Sequence, residues 1–409
     1  MAVPWFALNF PDQIHDFTLA FKNVTSQIAA VVMHKPKTIE DLQSKYNTAN
    51  RSQQAKIRIL LVPGHEPTYG GAEFGSLKER NLTVELANDL QQILANNEKY
   101  EVFVTRSSTA WSPEFANYFQ NSLQDIKDWV KAYQKESVNL LSVNSANGKP
   151  RVYHNSAPEN IAYRLYGITK WSNENNIDIV LHIHFNDYPG HPHGVAGKYS
   201  GFTIYVPEKN FLNSTTTQAI AQTVFKRLAK YNPVSDLLGE SDGITFEPDL
   251  IAIGAYNTAD AASMLVEYGY IYEPQFTDTA VRDLAMKDLA FQTYLGLQDF
   301  FDANNSLTLS RTYDTLVLPY NWRVPISGKN SSSISSQDIY SLQTALISAG
   351  LYPPAKKDMN DCPRTGTLGP CTKASLKTFQ NQYDISGEEG MVGEKTLEKL
   401  NSVFGGGVI

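Results

Sequence analysis

The alternation of predicted strands and helices from residue 57 onward most constrains the fold of this chain. Short β-rich runs are separated by segments in which apolar residues recur every three or four positions, the spacing of a helix face. This rhythm predicts an α/β unit with an open, twisted, mostly parallel sheet flanked by helices. The β-rich runs are Ile57 to Val62, Glu101 to Thr105, Ile177 to Phe185, Gly201 to Val206 and Ser263 to Glu267, and the helical positions include Leu82, Leu86, Leu90, Ile93, Ile220, Val224 and Leu228.

Two segments outside this rhythm precede or interrupt the α/β unit, which we place at residues 57–302. Residues 1–56 are weakly helical and polar, and Ser44 to Gln54 has the composition of a flexible connector. The stretch 107–158 is much longer than the usual connection of about 4 to 6 residues and includes a predicted helix from Leu123 to Tyr133. It is either a surface insertion or a lid or regulatory element over the site.

The C-terminal part of the chain is predicted to form a linker followed by a small all-α domain. Residues 303–335 are loosely patterned, and Ser327 to Ser336 contains six serines, which is typical of a linker. Residues 336–405 carry the helical periods of the last unit. A chain of 409 residues is expected to divide into such units, because one hydrophobic core stops growing at about 250 to 300 residues.

Composition and charge exclude several classes of protein. The hydrophobic fraction of 42% is sufficient for a packed interior, so global disorder is excluded. The net charge of −7, without a clustered basic face, argues against nucleic-acid binding. No stretch approaches the roughly 18 to 20 apolar residues of a transmembrane span, and Met1 to Ala20 lacks the features of a secretory signal.

Polar side chains follow or end three of the predicted strands, where ligands gather in open α/β sheets. His65 follows the first strand, and Glu79 lies at the start of the next predicted helix, which begins near Asn81. His182 and His184 lie on one face of their strand, since side chains alternate, and Glu267 ends another. Two imidazoles and a carboxylate around an open position are typical of catalytic zinc, and a further carboxylate suits proton transfer from metal-bound water.

Several sequence blocks, in order and spacing over about residues 57–301, resemble the zinc-dependent N-acetylmuramoyl-L-alanine amidases of bacterial cell-wall lysis. The resemblance implies one Zn²⁺ held by His65, Glu79 and His184, with Glu267 as the catalytic acid and base. The blocks are Val62-Pro63-Gly64-His65, Gly71-Ala72, Glu79-Arg80-Asn81-Leu82, Ala87, Thr105-Arg106, His182-Ile183-His184-Phe185-Asn186 and Leu265-Val266-Glu267-Tyr268-Gly269-Tyr270-Ile271.

The chain departs from the family pattern at three positions. Val62 stands where an acidic residue is usual before Pro-Gly-His, Glu66 stands where glycine is usual after it, and His182 replaces a small residue such as serine. His182 could therefore support the ligands, contact substrate or compete as a ligand. Asn186 and Arg106 are further candidates for a supporting or substrate-contacting role. Glu66 and Glu73 in the ligand loop also stay open as metal neighbours.

The C-terminal unit resembles the small three-helix peptidoglycan-binding module, which implies peptidoglycan as the partner. Cys362 and Cys371 are the only cysteines, lie close together in its Pro/Gly-rich turn and have no third ligand nearby, so a local disulfide is expected. The sequence positions behind the resemblance are Ile339, Leu342, Gln343, Leu346, Gly350, Gly369, Thr372, Leu376, Phe379, Gln380, Gly390, Met391, Val392, Gly393, Thr396, Leu397 and Leu400.

Together these resemblances predict a hydrolase that cleaves the amide between N-acetylmuramic acid and L-alanine. Two alternatives stay open: a catalytically silent wall-binding protein, and a zinc peptidase acting on the stem peptide. An extracytoplasmic location, in the cell envelope or secreted, is expected from the substrate and the disulfide. Because no export signal is visible at the start of the chain, a phage lysin also fits.

Overall fold

A computed structural model describes residues 36–49, 56–141, 157–188, 190–192, 194–302, 312–326 and 335–406. One six-stranded sheet forms its centre. The strands are β1 (Ile57–Pro63), β4 (Tyr100–Val104), β5 (Ile179–Asn186), β6 (Thr203–Pro207), β7 (Ile244–Glu247) and β8 (Ala262–Tyr270), and a small separate hairpin pairs β2 (Glu73–Phe74) with β3 (Leu77–Lys78). The order across the main sheet is β4-β1-β5-β8-β6-β7.

All neighbouring strands of the main sheet run parallel except β6 and β8, which are antiparallel. The predicted open, mostly parallel sheet flanked by helices is therefore confirmed. The strand β7 was not predicted, because its four residues at the edge of the sheet are mostly only partly buried and carry no long apolar run.

Helices cover the two faces of the sheet unequally. The odd-numbered residues Ile179, Leu181 and Ile183 of β5 enter the main core, whereas Val180 faces a smaller core on the opposite face. The main face packs against α1 (Ile39–Thr48), α2 (Glu79–Ala95), α6 (Ser214–Tyr231) and α8 (Thr279–Phe301). The opposite face packs against α3 (Pro113–Asn121), α4 (Leu123–Leu141), α5 (Glu159–Glu174) and two 3₁₀ turns, Ile251–Ile253 and Ala255–Asn257. The short helix α7 (Pro274–Thr277) directly precedes α8.

The N-terminal segment differs from its prediction. Residues 44–48, expected in a flexible connector, continue the helix α1, which begins with a capping box between Thr38 and Asp41. Leu42 and Tyr46 are buried in the main core, so burial of an apolar face outweighs the polar composition of this segment. Residues 1–35 and 50–55 lie outside the described residues.

The predicted insertion contains α3 and α4, and α4 extends beyond the expected Tyr133 to Leu141. Ile126 and Val130 of α4 pack with Tyr166 of α5, so this part of the insertion is packed against the sheet's smaller layer. Residues 142–156 of the insertion, which include the polar stretch Asn144 to Lys149, fall outside the part of the chain that the structure describes.

The C-terminal helices α9 (Ser336–Ser348), α10 (Pro370–Gln382) and α11 (Glu394–Phe404) form a second, all-α core. Within the stretch predicted as a linker, residues 312–326 contribute the buried side chains Leu318, Trp322 and Ile326 to this core. Cys362 and Cys371 form a disulfide. Among the residues described, no helix is long and apolar enough to span a bilayer.

Candidate metal centre and active site

His65 is placed by a sharp turn at the carboxyl end of β1. The amide of Gly64 donates to the carbonyl of Ile183 at 2.9 Å, which fixes the end of β1 against β5. The backbone then turns into the left-handed region at His65, with φ 69°. A Cβ atom on Gly64 would lie 2.3 Å from the His184 ring, so only glycine lets the two histidines approach each other here.

Glu79 is the first residue of α2 and its carboxylate lies between the two histidines. Its Oε1 atom is 2.8 Å from His65 Nε2 and 3.0 Å from His184 Nδ1. The backbone amides of Phe185 and Ala72 donate to its two oxygens at 3.1 and 2.8 Å. Burial opposes ionisation, but the two imidazoles outweigh it and hold the pKa of Glu79 well below its ordinary value.

His184, near the end of β5, completes this group. Burial lowers its pKa below the ordinary value, in opposition to the hydrogen bond with Glu79, so the imidazole is neutral at pH 7 and keeps a lone pair for a ligand. One ligand atom from each of His65, Glu79 and His184 lies within 4.8 Å of the others. The structure thus brings together the three residues predicted as metal ligands.

Glu267 lies directly beside His184, because the two residues are register partners on β8 and β5. Its Oε2 atom is buried and has no hydrogen-bond partner among the residues described. Burial first, and then the charges of Glu79 and Glu240, raise the pKa of Glu267 well above its ordinary value. A carboxyl oxygen without a partner among the described residues, next to the three potential metal-ligand atoms, is suited to exchanging a proton with a reactant.

His182 shares a face of β5 with His184 but does not join the group of ligand atoms. It is 2% exposed, and Leu265 is its register partner on β8. Burial, followed by the neighbouring His184, lowers its pKa to about 3, despite a hydrogen bond with the backbone of Ala252. His182 is therefore a neutral histidine beneath the site.

Arg106 supports the ligand loop from within the protein. It is 2% exposed, and its guanidinium donates to the carbonyls of Pro63, at 3.1 Å, and Gly64 and to that of Arg80, at 3.0 Å. These contacts join the end of β1 to the first turn of α2. Arg106 thus fixes the loop that carries His65, and its burial separates it from a substrate.

Asn186 is held by the buried carboxylate of Glu240, which was not predicted as a site residue. The Asn186 amide donates to both Glu240 oxygens, at 3.1 and 3.2 Å, and the Tyr205 hydroxyl donates at 2.5 Å. Ser235 and, at 3.4 Å, Tyr270 also donate to this carboxylate, which is 1% exposed. In the sequence Glu240 lies in a polar, glycine-flanked turn that gives no sign of burial.

Glu66 and Glu73, which follow His65 in the ligand loop, both contact cations away from the three ligand atoms. Glu66 is paired with Arg164 of α5 at 2.7 Å and accepts a hydrogen bond from the Trp111 indole at 3.2 Å. Glu73 is paired with Arg80 at 2.7 Å. Trp111 belongs to the predicted insertion, so that segment contacts the residue next to His65.

The donor set fits a divalent metal ion. Two imidazole nitrogens and one ionised carboxylate oxygen are ligands that zinc takes in catalytic sites with an open fourth position. Their contacts here are consistent with a shared ligand: His65 Nε2 is buried, has no well-directed hydrogen bond among the described residues and lies 2.8 Å from Glu79 Oε1. The three side chains come from a loop, a helix end and a strand, and each is fixed by backbone contacts.

Residues 59–299 match the family model described as N-acetylmuramoyl-L-alanine amidase. The chain belongs to this amidase family. A second model, described as "Putative peptidoglycan binding domain", matches residues 335–400. The predicted amidase activity and the wall-binding module are thus both confirmed: the chain is an N-acetylmuramoyl-L-alanine amidase with a peptidoglycan-binding domain.

Several solved amidase structures are similar to this amidase. The CwlD amidase from Clostridioides difficile, solved in complex with the GerS lipoprotein, is 14% identical with a TM-score of 0.40, covering 61% of this chain and 100% of that one. Ami1 from Mycobacterium smegmatis is 13% identical with a TM-score of 0.39 and the same coverage. AmiC2 of Nostoc punctiforme is 13% identical with a TM-score of 0.35, covering 61% of this chain and 98% of that one. No curated protein matches the sequence.

Proposed function

We propose that this amidase is a zinc enzyme in which His65, Glu79 and His184 hold the metal and Glu267 transfers protons. The observation that carries this proposal is the convergence of three ligand atoms within 4.8 Å, beside a carboxyl oxygen without a partner among the described residues. The bond cleaved is the amide between the lactyl group of N-acetylmuramic acid and the first L-alanine of the stem peptide.

A bound zinc ion would polarise the scissile carbonyl and the attacking water. The chain's own residues provide the rest of the chemistry. Glu79 offers an anionic carboxylate oxygen to the metal, and the neutral His184 offers a nitrogen lone pair. The backbone amides of Phe185 and Ala72 hold the Glu79 carboxylate in place. The absence of a side chain at Gly64 lets the His184 ring pack against the turn that leads to His65.

Glu267 acts first as a base and then as an acid. It accepts a proton from water as the water oxygen bonds to the carbonyl carbon, and it gives that proton to the alanine nitrogen as the carbon–nitrogen bond breaks. The products are a lactyl carboxylic acid, which then loses its proton to the solvent, and a free amine. The raised pKa of Glu267 favours the proton-holding form needed in the second step, and the charge of a nearby dication would lower that pKa and so favour the basic form needed in the first step.

We place this activity at the peptidoglycan outside the cytoplasm, as a cell-envelope or secreted enzyme. The location of the substrate supports this assignment, and the disulfide between Cys362 and Cys371 suits an oxidising compartment.

The direct test is the Glu267→Gln variant assayed on purified peptidoglycan, with zinc content measured in the same preparation. Loss of the proton-transfer group should lower turnover by about 100-fold or more while zinc is retained. The matched control is Glu98→Gln, because Glu98 is exposed and lies just before β4, at the opposite end of the sheet.

Mass spectrometry of the products separates the amidase from the two alternatives. Whole stem peptides with a new free alanine amine support the proposal, whereas cleavage within the stem peptide indicates a zinc peptidase. Wall binding without any hydrolysis at full metal loading indicates a silent binding protein. Full activity of a preparation without transition metal would contradict the zinc assignment.

A further inference from the structure

The C-terminal unit, defined here as residues 312–326 and 335–406, packs directly on two helices of the catalytic unit. Val281 and Ala285 of α8 form an apolar cluster with Val317 and Tyr340 of the C-terminal unit. Tyr231, the last residue of α6, is fully buried within the C-terminal core itself. The two units therefore share buried apolar surface.

A buried ion pair lies at the centre of this contact. Arg364 of the C-terminal unit donates to Asp288 of α8 at 2.8 Å, and their side chains are 1% and 0% exposed. The guanidinium also lies over the rings of Tyr231 and Tyr340, at 4.9 and 4.5 Å from the ring centres. One cation from the C-terminal unit thus contacts both α8 and the end of α6.

The second oxygen of Asp288 is occupied by the segment that was predicted to be a linker. The Thr315 hydroxyl donates to it at 2.6 Å and the Leu316 amide at 3.2 Å. We call Asp288, Thr315, Leu316 and Arg364 the Asp288 junction. Because both oxygens have partners from the C-terminal unit, a different orientation of that unit would leave a desolvated charge unpaired.

Peripheral contacts support the same orientation. Asp314 accepts hydrogen bonds from Lys230 at 2.5 Å and from the Tyr231 hydroxyl at 2.6 Å. Asn360 pairs with the backbone of Val234 in both directions, at 2.6 and 3.2 Å. Apolar burial supplies attraction without direction, whereas these polar contacts admit one arrangement.

We propose that the Asp288 junction fixes the C-terminal unit in one orientation on the catalytic unit, so that wall polymer bound to that unit reaches the candidate metal site from a restricted range of directions. This inference rests on the proposed function, because it concerns how the same site receives its substrate. A flexible tether only raises the local concentration of wall polymer. A fixed unit also restricts the direction from which the polymer reaches Glu267, which favours productive geometry.

The test uses the full-length zinc-loaded protein and the variant Arg364→Met, which leaves the Asp288 carboxylate without its cation. Small-angle X-ray scattering reports whether the units stay docked, and turnover is measured on insoluble wall and on a soluble muramyl-peptide fragment. The matched control is Lys357→Met, which removes an exposed cation of the C-terminal unit that pairs with Asp361 of the same unit.

We expect wild type and Lys357→Met to scatter as the docked arrangement and Arg364→Met to be more extended. Arg364→Met should bind wall and cleave the soluble fragment within about twofold of wild type but lose about tenfold on insoluble wall. If this variant fails to fold, Thr315→Val removes one donor to Asp288 at nearly unchanged side-chain volume. It is expected to shift the scattering and the turnover of insoluble wall in the same direction by a smaller amount.

Two results would overturn the inference: wild-type scattering from two independently moving units, or wild-type turnover of insoluble wall by a variant whose units have separated. If the wild-type protein cleaves neither substrate, the proposed function fails, whereas the scattering data still decide whether the units are docked.

Discussion

Two carboxylates in one small site are driven towards opposite protonation states by their surroundings. Two imidazoles and two backbone amides stabilise the anion of Glu79. Glu267 is desolvated, has an oxygen without a partner among the described residues and lies near two other acids, so its neutral form is favoured. This separation matches a division of work between a metal ligand and a proton-transfer group.

At the residue scale, Glu240 is expected to position Asn186 beside the site. Glu240→Gln replaces one acceptor oxygen with an amide that faces hydroxyl and amide donors, so Asn186 loses its fixed orientation. We expect turnover of purified wall to fall by about 10-fold or more, with zinc content unchanged.

Tyr205→Phe is the control for this prediction, because it removes one donor to Glu240 and leaves the contact with Asn186 in place. Equal losses in the two variants, or wild-type turnover by Glu240→Gln, would show that Glu240 does not act through Asn186.

Alternation along β5 predicts that His182 and His184 share a face, and they do. Alternation does not show how deeply each of the two histidines is buried. The 3₁₀ turn at Ile251–Ile253 covers that face, and His182 contacts its Ala252 backbone, whereas His184 lies at the end of the strand next to the ligand loop. The sequence therefore identified both histidines as candidates but could not show that only His184 lies among the potential metal ligands.

At the scale of elements, α5 and the insertion hold the ligand loop through Glu66. This residue departs from the family pattern, and its contacts with Arg164 and Trp111 give a physical reason for an acid at this position. The part of the insertion that the structure describes packs against α5, so it supports the loop from the side.

The variant Arg164→Met is expected to weaken zinc binding by about 10-fold, because Glu66 loses its cation and the loop carrying His65 loses a restraint. Zinc affinity is measured by competition with a chromogenic chelator. Lys170→Met is the matched control, since this lysine of the same helix pairs with Glu174 instead. Unchanged zinc affinity in Arg164→Met would exclude this role for the Glu66 contact.

At the scale of the whole molecule, the catalytic unit and the C-terminal unit stabilise each other. Removal of residues 303–409 would expose Val281, Ala285 and Tyr231 to water and leave Asp288 without Arg364. We expect the midpoint of thermal unfolding of the catalytic unit to fall by roughly 3 to 6 °C, the shift produced by a loss of roughly 1 to 2 kcal/mol.

Circular dichroism on the truncated and full-length proteins measures this shift, and zinc content is matched in both. An unchanged midpoint would mean that the interface contributes no stability to the catalytic unit, however many contacts it contains.

The sequence by itself determined the layers of the fold, the order of the chemical groups along it and the identity of the family. Hydrophobic periods and residue order are local properties of a chain, so they can be read without coordinates. Only the tertiary structure decided that Glu240 is buried, that His182 lies beneath the site and that residues 312–326 join the C-terminal core. Burial and pairing depend on which distant segments meet, and neither the polar turn around Glu240 nor the loosely patterned stretch 312–326 reveals in its own sequence which segments it will contact.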